Sequence, residues 1–303
     1  SKAVRDAATA SGKDILVAVH YTNIDDMKKL DTLLTGLQVK EIDYDIVGLS
    51  FYPYWHGTMD DLKNAITHIR NTYGKKVYVA ENAYCYTAED GDGSANSVEG
   101  TDDLAEGYSA SVQGQANEVR DVCAAASESG AEGIFYWEGT WIPVGPADAD
   151  NSALWEKYGS GWTGYTWNKT YFPDYKQFLR EMQQRGLKVT LNLHPRDGIR
   201  AYEEIYPTLA KRLGRDPETG RKIEFDVADR RFMEEYFNTV LHPYEEAGVD
   251  FWWIDWQQGG VTRQPGLDPL WVLNHLHYLD SGRYEMPVYA HLTMCGRSAR
   301  DVG

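Results

Sequence analysis

Val77-Tyr-Val-Ala-Glu-Asn-Ala-Tyr84 is a short apolar run that ends on a carboxylate. A continuous apolar stretch such as residues 77–80 fits a strand buried on both faces, as in a parallel sheet. Runs of the same type recur at residues 15–19, 46–51, 133–137, 189–193, 249–254 and 287–292. A further strand is expected at residues 164–167.

Helical patterns fill the gaps between these runs. Thr58-Met-Asp-Asp61 has the form of a capping box, Leu62, Ile66, Ile69 and Tyr73 then share one face, and Gly74 stops the helix. Pro173 opens a second helix with Tyr175, Phe178, Leu179 and Met182 as its stripe and Gly186 at its end. Asp229 opens a third, with Met233, Tyr236, Phe237, Val240 and Leu241 on one face and Gly248 after it. Repeated strand–helix units predict an α/β fold, a (β/α)8 TIM-barrel-like architecture or half-barrels. The rival is a doubly wound open sheet. No Gly-x-Gly-x-x-Gly turn follows a strand, so its nucleotide-binding form lacks support.

The chain of 303 residues carries a formal net charge of −16, which repels phosphate backbones and disfavours nucleic acid as a partner. A neutral polysaccharide is not repelled. The 10 Trp and 21 Tyr outnumber the 8 Phe, and Tyr and Trp offer a flat apolar face with a polar handle, suited to stacking on sugar rings or to filling cores and rims. Cys85, Cys123 and Cys295 have no metal-ligand spacing and imply no disulfide framework. No apolar run approaches a membrane span. No signal peptide is read, and Ser1 falls inside a helical pattern, so a cut start is expected.

In a barrel of this type catalytic groups stand at the C-terminal ends of strands. His20, Tyr52 with Trp55, Glu81, and Trp137 with Glu138 all lie at such ends. At these residues the sequence resembles a known family. Asp45-Ile-Val-Gly-Leu-Ser-Phe-Tyr-Pro-Tyr-Trp-His-Gly57, Val79-Ala-Glu-Asn-Ala-Tyr84 and Gly133-Ile-Phe-Tyr-Trp-Glu-Gly-Thr-Trp-Ile-Pro143 are similar to the family 53 endo-β-1,4-galactanases, over residues 1–162. The resemblance implies that Glu81 is the nucleophile of a retaining mechanism and that Tyr52 bonds to it. It also implies that His20 and Trp55 line the cleft, Trp137 is a stacking platform and Glu138 a neighbouring polar contact. The plain alternative for Glu81 is a structural acid paired with Lys or Arg.

A retaining glycosidase needs a second carboxyl about 5–5.5 Å from the first. In the resembled family the acid/base follows an Asn-Glu pair on an earlier strand, which would lie before Ser1. Asn117-Glu118 sits inside a helical pattern instead. Cleavage is therefore expected to be impaired. Asp90, Asp92, Ser94 and Asn96 alternate with Gly and Ala, so their oxygens can wrap a calcium ion, although no Glu completes an EF-hand loop. Galactanases of the resembled family bind calcium in the corresponding loop. The alternative is a solvated acidic turn.

After residue 163 a different family is resembled. Gly164-Tyr-Thr-Trp-Asn-Lys-Thr-Tyr-Phe-Pro-Asp174, Gly186-Leu-Lys-Val-Thr-Leu-Asn-Leu-His-Pro195 and Gly248-Val-Asp-Phe-Trp-Trp-Ile-Asp-Trp-Gln-Gln258 are similar to the family 31 α-glucosidases, over residues 163–283. The resemblance implies that Asp255 is a retaining nucleophile and that His194, Trp253 and Trp256 shape its pocket. From the residues alone, Asp255 is an acid at a strand end between tryptophans, where apolar neighbours raise a carboxyl pKa. For the tryptophans a core role is the simpler reading. Here too the implied acid/base has no counterpart in the sequence, and residues 284–303 depart from the family, as a shifted reading frame would. The expected organisation is a chimera with units 1–162 and 163–303, able to close together into one barrel. The expected function is an extracellular, monomeric galactanase-like hydrolase with a poly- or oligosaccharide substrate. The alternatives are an α-glucosidase centred on Asp255 and a non-catalytic carbohydrate-binding protein.

Overall fold

A computed structural model describes residues 2–12, 14–89, 98, 100–137, 165–168, 172–193, 195–254, 262–281 and 292–293. The chain divides into two compact units, Ser1–Asp148 and Ala149–Gly303.

The first unit runs α1 (Lys2–Ser11), β1 (Ala18–Tyr21), α2 (Met27–Val39), β2 (Ile46–Ser50), α3 (Met59–His68), β3 (Lys76–Asn82), α4 (Val112–Ser129) and β4 (Ile134–Tyr136). The strands form one parallel sheet in sequence order, β1-β2-β3-β4. The capping box is present: the Thr58 N–H donates to Asp61 Oδ2 at 2.7 Å, and the Asp61 N–H donates to Thr58 Oγ1 at 3.2 Å. Leu62 and Ile66 then bury completely. Gly74 ends the helical stretch at a φ of 64°, where a Cβ would be strained. Val47, Leu49, Phe51, Val77 and Val79 pack with these residues and with Val122 of α4 into one core.

Strand bounds differ from the sequence expectation in β1 and β3. β1 begins at Ala18, and Val17 before it is clamped by Asp45, just before β2: its N–H donates to Asp45 Oδ2 at 2.6 Å and its carbonyl accepts from the Asp45 N–H at 2.8 Å. His20 is therefore inside the strand. β3 extends two residues beyond Ala80, so Glu81 and Asn82 are strand residues.

The second unit contains α5 (Tyr175–Gln184), β5 (Thr190–Leu193), α6 (Tyr206–Arg212), α7 (Arg230–Glu235), α8 (His242–Ala247), β6 (Phe251–Ile254), α9 (Pro269–Ser281) and β7 (Leu292–Thr293). Its described strands are also parallel, in the order β5-β6-β7. The same clamp recurs: the Val189 N–H donates to Asp250 Oδ2 at 2.9 Å, and the Asp250 N–H donates back to the Val189 carbonyl. Asp174 and Asp229 cap α5 and α7 through the N–H groups of Gln177 and Phe232. The core is richly aromatic, with Tyr236 fully buried among Phe225, Phe232 and Phe237.

Of the strand expected at residues 164–167, residues 165–167 are described and form none: Tyr165 and Thr166 make a bend, and Trp167 is outside any ladder. Their polar groups are satisfied by side chains instead. Glu203 accepts from the Tyr165 N–H at 3.0 Å and from Thr166 Oγ1 at 2.6 Å, and the Tyr244 hydroxyl donates to the Tyr165 carbonyl. Within the β2–β3 pair, Gly48 is held to hydrogen by its neighbour strand: an added Cβ would stand 2.9 Å from the Tyr78 ring and 3.2 Å from the Ala80 Cβ. Gly48→Ala is expected to lower the unfolding free energy by about 1–3 kcal/mol, as overpacking does. Urea denaturation checks this, and an unchanged midpoint would refute it.

Candidate functional site

The polar residues at the C-terminal ends of β1, β2 and β3 converge. Alternation along β2 sends Val47, Leu49 and Phe51 into the helix-side core, which leaves Gly48, Ser50 and Tyr52 for the opposite face. On β3, Val77 and Val79 join the same core, so strict alternation would send Glu81 there too. The register slips instead: Leu49 pairs with Val79, but Ser50 pairs with Glu81. A bulge of one residue turns every later side chain of the strand to the other face. Glu81 thereby meets Tyr52, whose hydroxyl donates to Glu81 Oε2 at 2.9 Å. Asn82 takes the helix side, where its Nδ2 donates to Glu118 Oε1 of α4 at 2.8 Å and to the Phe51 carbonyl at 3.1 Å.

Glu81 is 7 % exposed, and its Oε1 makes no hydrogen bond with the described residues. One carboxylate oxygen is thus fixed by Tyr52, and the other is buried without a hydrogen bond among the described residues. His20 Nε2 lies 2.8 Å from Ser50 Oγ, beside this group. Partial loss of hydration lowers the His20 pKa, and the Glu81 charge pulls it upward. His56 is buried, which lowers its pKa, and its Nδ1 accepts from the Tyr52 N–H at 3.2 Å. Trp55 stands 54 % exposed next to Tyr52, their ring centroids 5.6 Å apart. Tyr54 stacks on Tyr84 at 5.0 Å, adding aromatic surface. The Trp137 N–H donates to the Asn82 carbonyl at 2.7 Å, which ties the start of that segment to β3.

The structure therefore brings together Glu81, Tyr52, Trp55 and His20, and attaches Trp137 to the same strand end. Glu138 and the four candidate calcium ligands, Asp90, Asp92, Ser94 and Asn96, lie outside the described residues. So do His194, Asp255 and Trp256. Trp253 is buried in β6, opposite Asn192 of β5, and β6 ends at Ile254, one residue before Asp255. Ser50, His56, Asn82 and Glu118 were not among the sequence candidates. Asn82 could have been suspected from its place beside Glu81. Glu118 gave no signal, since a single acid on a helix is ordinarily solvated.

A sequence model described as glycosyl hydrolase family 53 matches residues 1–194. The chain belongs to that family. A second model, the TIM-barrel domain of glycosyl hydrolases family 31, matches residues 139–292, so the chain belongs to that family as well through its later part. Both assignments agree with the α/β, (β/α)8-type fold of parallel strands and helices. The chain is 46% identical over 166 residues to an endo-β-1,4-galactanase of Bacillus subtilis, covering 54% of this chain and 38% of that protein. It is 34% identical over 164 residues to an arabinogalactan endo-β-1,4-galactanase of Cellvibrio japonicus, covering 53% and 40%. Among solved structures, the Ignisphaera aggregans GH53 catalytic domain shares 39% identity over 46% of this chain and 40% of its own, with a TM-score of 0.43. The chain spans about two-fifths of the length of the curated relatives it matches. No described helix is long and apolar enough to cross a membrane.

Glu118 supplies a pH test of this arrangement. Burial raises its pKa from the ordinary 4.5 to about 7, against the opposing bond from Asn82. The folded state therefore holds a proton that the unfolded state releases between those values. Stability from this group is present below about 4.5 and is lost as pH rises through 7. Glu118→Gln should gain stability over the unaltered chain by roughly 3 kcal/mol between pH 5 and pH 8, from 1.36 kcal/mol per unit. Paired urea titrations at the two pH values read it, and a pH-independent difference would count against the buried proton.

Proposed function

We propose that the first unit carries the nucleophile side of an endo-β-1,4-galactanase site, with Glu81 attacking the anomeric carbon in a retaining mechanism. The observation behind this is the Tyr52–Glu81 bond, which orients the carboxylate, while Oε1 has no hydrogen bond among the described residues. Trp55 and Trp137 would offer their flat faces to galactose rings, and His20 would bond a sugar hydroxyl. Retention requires a second carboxyl about 5–5.5 Å away to protonate the leaving oxygen. The resemblance assigns no residue of this chain to that role, so hydrolysis should be slow. The substrate would be plant β-1,4-galactan, met outside the cell by a monomer. The charge of −16 suits a neutral polymer and not a nucleic acid.

The two family matches, which overlap at residues 139–194, support reading the chain as a join of two hydrolase fragments. The second fragment favours a further reading, an α-glucosidase with Asp255 as nucleophile. Its support is β6, which carries Trp252 and Trp253 directly up to that residue. A non-catalytic sugar binder is the remaining reading.

Reducing-end release from β-1,4-galactan separates these. We expect weak release that Glu81→Gln abolishes and Asp255→Asn leaves intact. Hydrolysis of an aryl α-glucoside lost in Asp255→Asn would favour the second reading. Binding without hydrolysis of either would leave only the sugar binder. Calcium at Asp90, Asp92, Ser94 and Asn96 belongs to the same proposal, on the spacing of their oxygens. Dialysis against EGTA should lower Tm, with recovery on calcium addition; an unchanged Tm would remove the ion from the account.

A further inference from the structure

β3 breaks step with both of its neighbours at one place. Against β2 the register shifts after the Leu49–Val79 pair, and against β4 it shifts between Val79 and Asn82. Asn82 ties this irregular end together. Its backbone carbonyl accepts from the Trp137 N–H at 2.7 Å, and its Nδ2 donates to the Phe51 carbonyl at 3.1 Å and to Glu118 Oε1 at 2.8 Å. The end of β2, the segment after β4 and helix α4 thus meet at one residue. Asn82 and Glu118 are both 0 % exposed. Two of their atoms are left over: Asn82 Oδ1 and Glu118 Oε2 have no hydrogen bond among the described residues. With Glu118 ionised, both atoms are acceptors and neither can satisfy the other. A proton on Glu118 supplies the one missing donor, and a neutral carboxyl lying edge to edge with a carboxamide makes two parallel bonds.

We propose that Glu118 is a positioning residue for Glu81: its neutral carboxyl accepts from Asn82 Nδ2, donates to Asn82 Oδ1, and so locks the slipped end of β3 that presents Glu81 to the sugar. This role rests on the reading of Glu81 as the nucleophile. The surroundings favour the neutral form. Asp121, one turn along α4, adds negative charge. The other titratable groups that interact with Glu118 are the hydroxyls of Tyr84, Tyr108 and Tyr136 and the Cys123 thiol, none of them a cation. No Lys or Arg bonds to Glu118 among the described residues, and Lys63 of the neighbouring α3 pairs with Glu128 near the far end of α4. Burial sets the Glu118 pKa at about 7. Ionisation above that value removes the donor and turns a charge on Asn82 Oδ1, which loosens the pair and with it the register that aims Glu81. Gln at position 118 keeps the accepting carbonyl and replaces the hydroxyl by an N–H that no pH removes.

The test is the rate at which 2-deoxy-2-fluoro-β-galactosyl fluoride labels Glu81 of the full chain as pH rises. For one group of pKa about 7, the protonated fraction falls roughly tenfold between pH 6 and pH 8, and the labelling rate should fall with it. His20 and His56 are held below the ordinary 6.5, so they lose their protons ahead of Glu118. Glu118→Gln should carry the rate of the acid side across the whole range. Glu118→Leu should label at least about tenfold more slowly at every pH, with Tm compared to show that it folds; should it unfold, the Gln profile decides. Isotope-edited infrared reads the pair without the reaction: the carbonyl band of a protonated carboxyl should be present at pH 6, fade by pH 8 and be missing from Glu118→Gln. A flat profile in the unaltered chain, the same fall in Glu118→Gln, or no such band at pH 6 would overturn the role of Glu118 and leave the nucleophile standing. A chain that is never labelled at any pH, with the band in place, would remove the nucleophile reading and this role together.

Discussion

The candidate site rests on a slip of one residue between β2 and β3. Up to Leu49 and Val79 the two strands pair in step, and their valines and leucine feed the helix-side core. Had the pairing continued, Glu81 would have joined Val77 and Val79 in that core, where an ionised carboxylate without a partner costs several kcal/mol. The slip puts Glu81 on the face of Ser50 and Tyr52 and sends Asn82 the other way. Both residues then find partners suited to them: a phenol for the carboxylate, and a buried carboxyl with a backbone carbonyl for the amide.

Much of the framework could be read from residue types alone, because its signals are local. The Thr58 capping box, the Gly74 stop and the Asp229 start act over three or four residues, and each stands where the sequence put it, whereas the helix expected to open at Pro173 is capped by Asp174 and begins at Tyr175. The slip at Ser50 could not be read this way, since it depends on the pairing of two strands about thirty residues apart. Residues 165–167 fail as a strand for a similar reason. Their apolar character fits a strand, but Glu203, nearly forty residues away, takes their polar groups.

Of the site itself, Glu81, Tyr52, Trp55 and His20 were legible because residues at the ends of parallel strands share one rim. Glu118 and Asn82 were not, since a buried acid on a helix becomes meaningful only when its partner is known. The second unit shows the same division. Its Asp250 clamp mirrors the Asp45 clamp of the first, so the device goes with the parallel sheet in both units rather than with either site.

The central claim is that Glu81 is a competent nucleophile, and a 2-deoxy-2-fluoro-β-galactosyl fluoride tests it most directly. Fluoride departs without a proton, so the reagent reports the attacking carboxylate even where its acid partner is lacking, and the fluorine at C2 slows release of the ester. Intact-mass and peptide analysis should find one fluorogalactosyl group per chain, on Glu81, and none on Glu81→Gln. An unlabelled chain, or a label on any other residue, would contradict the account.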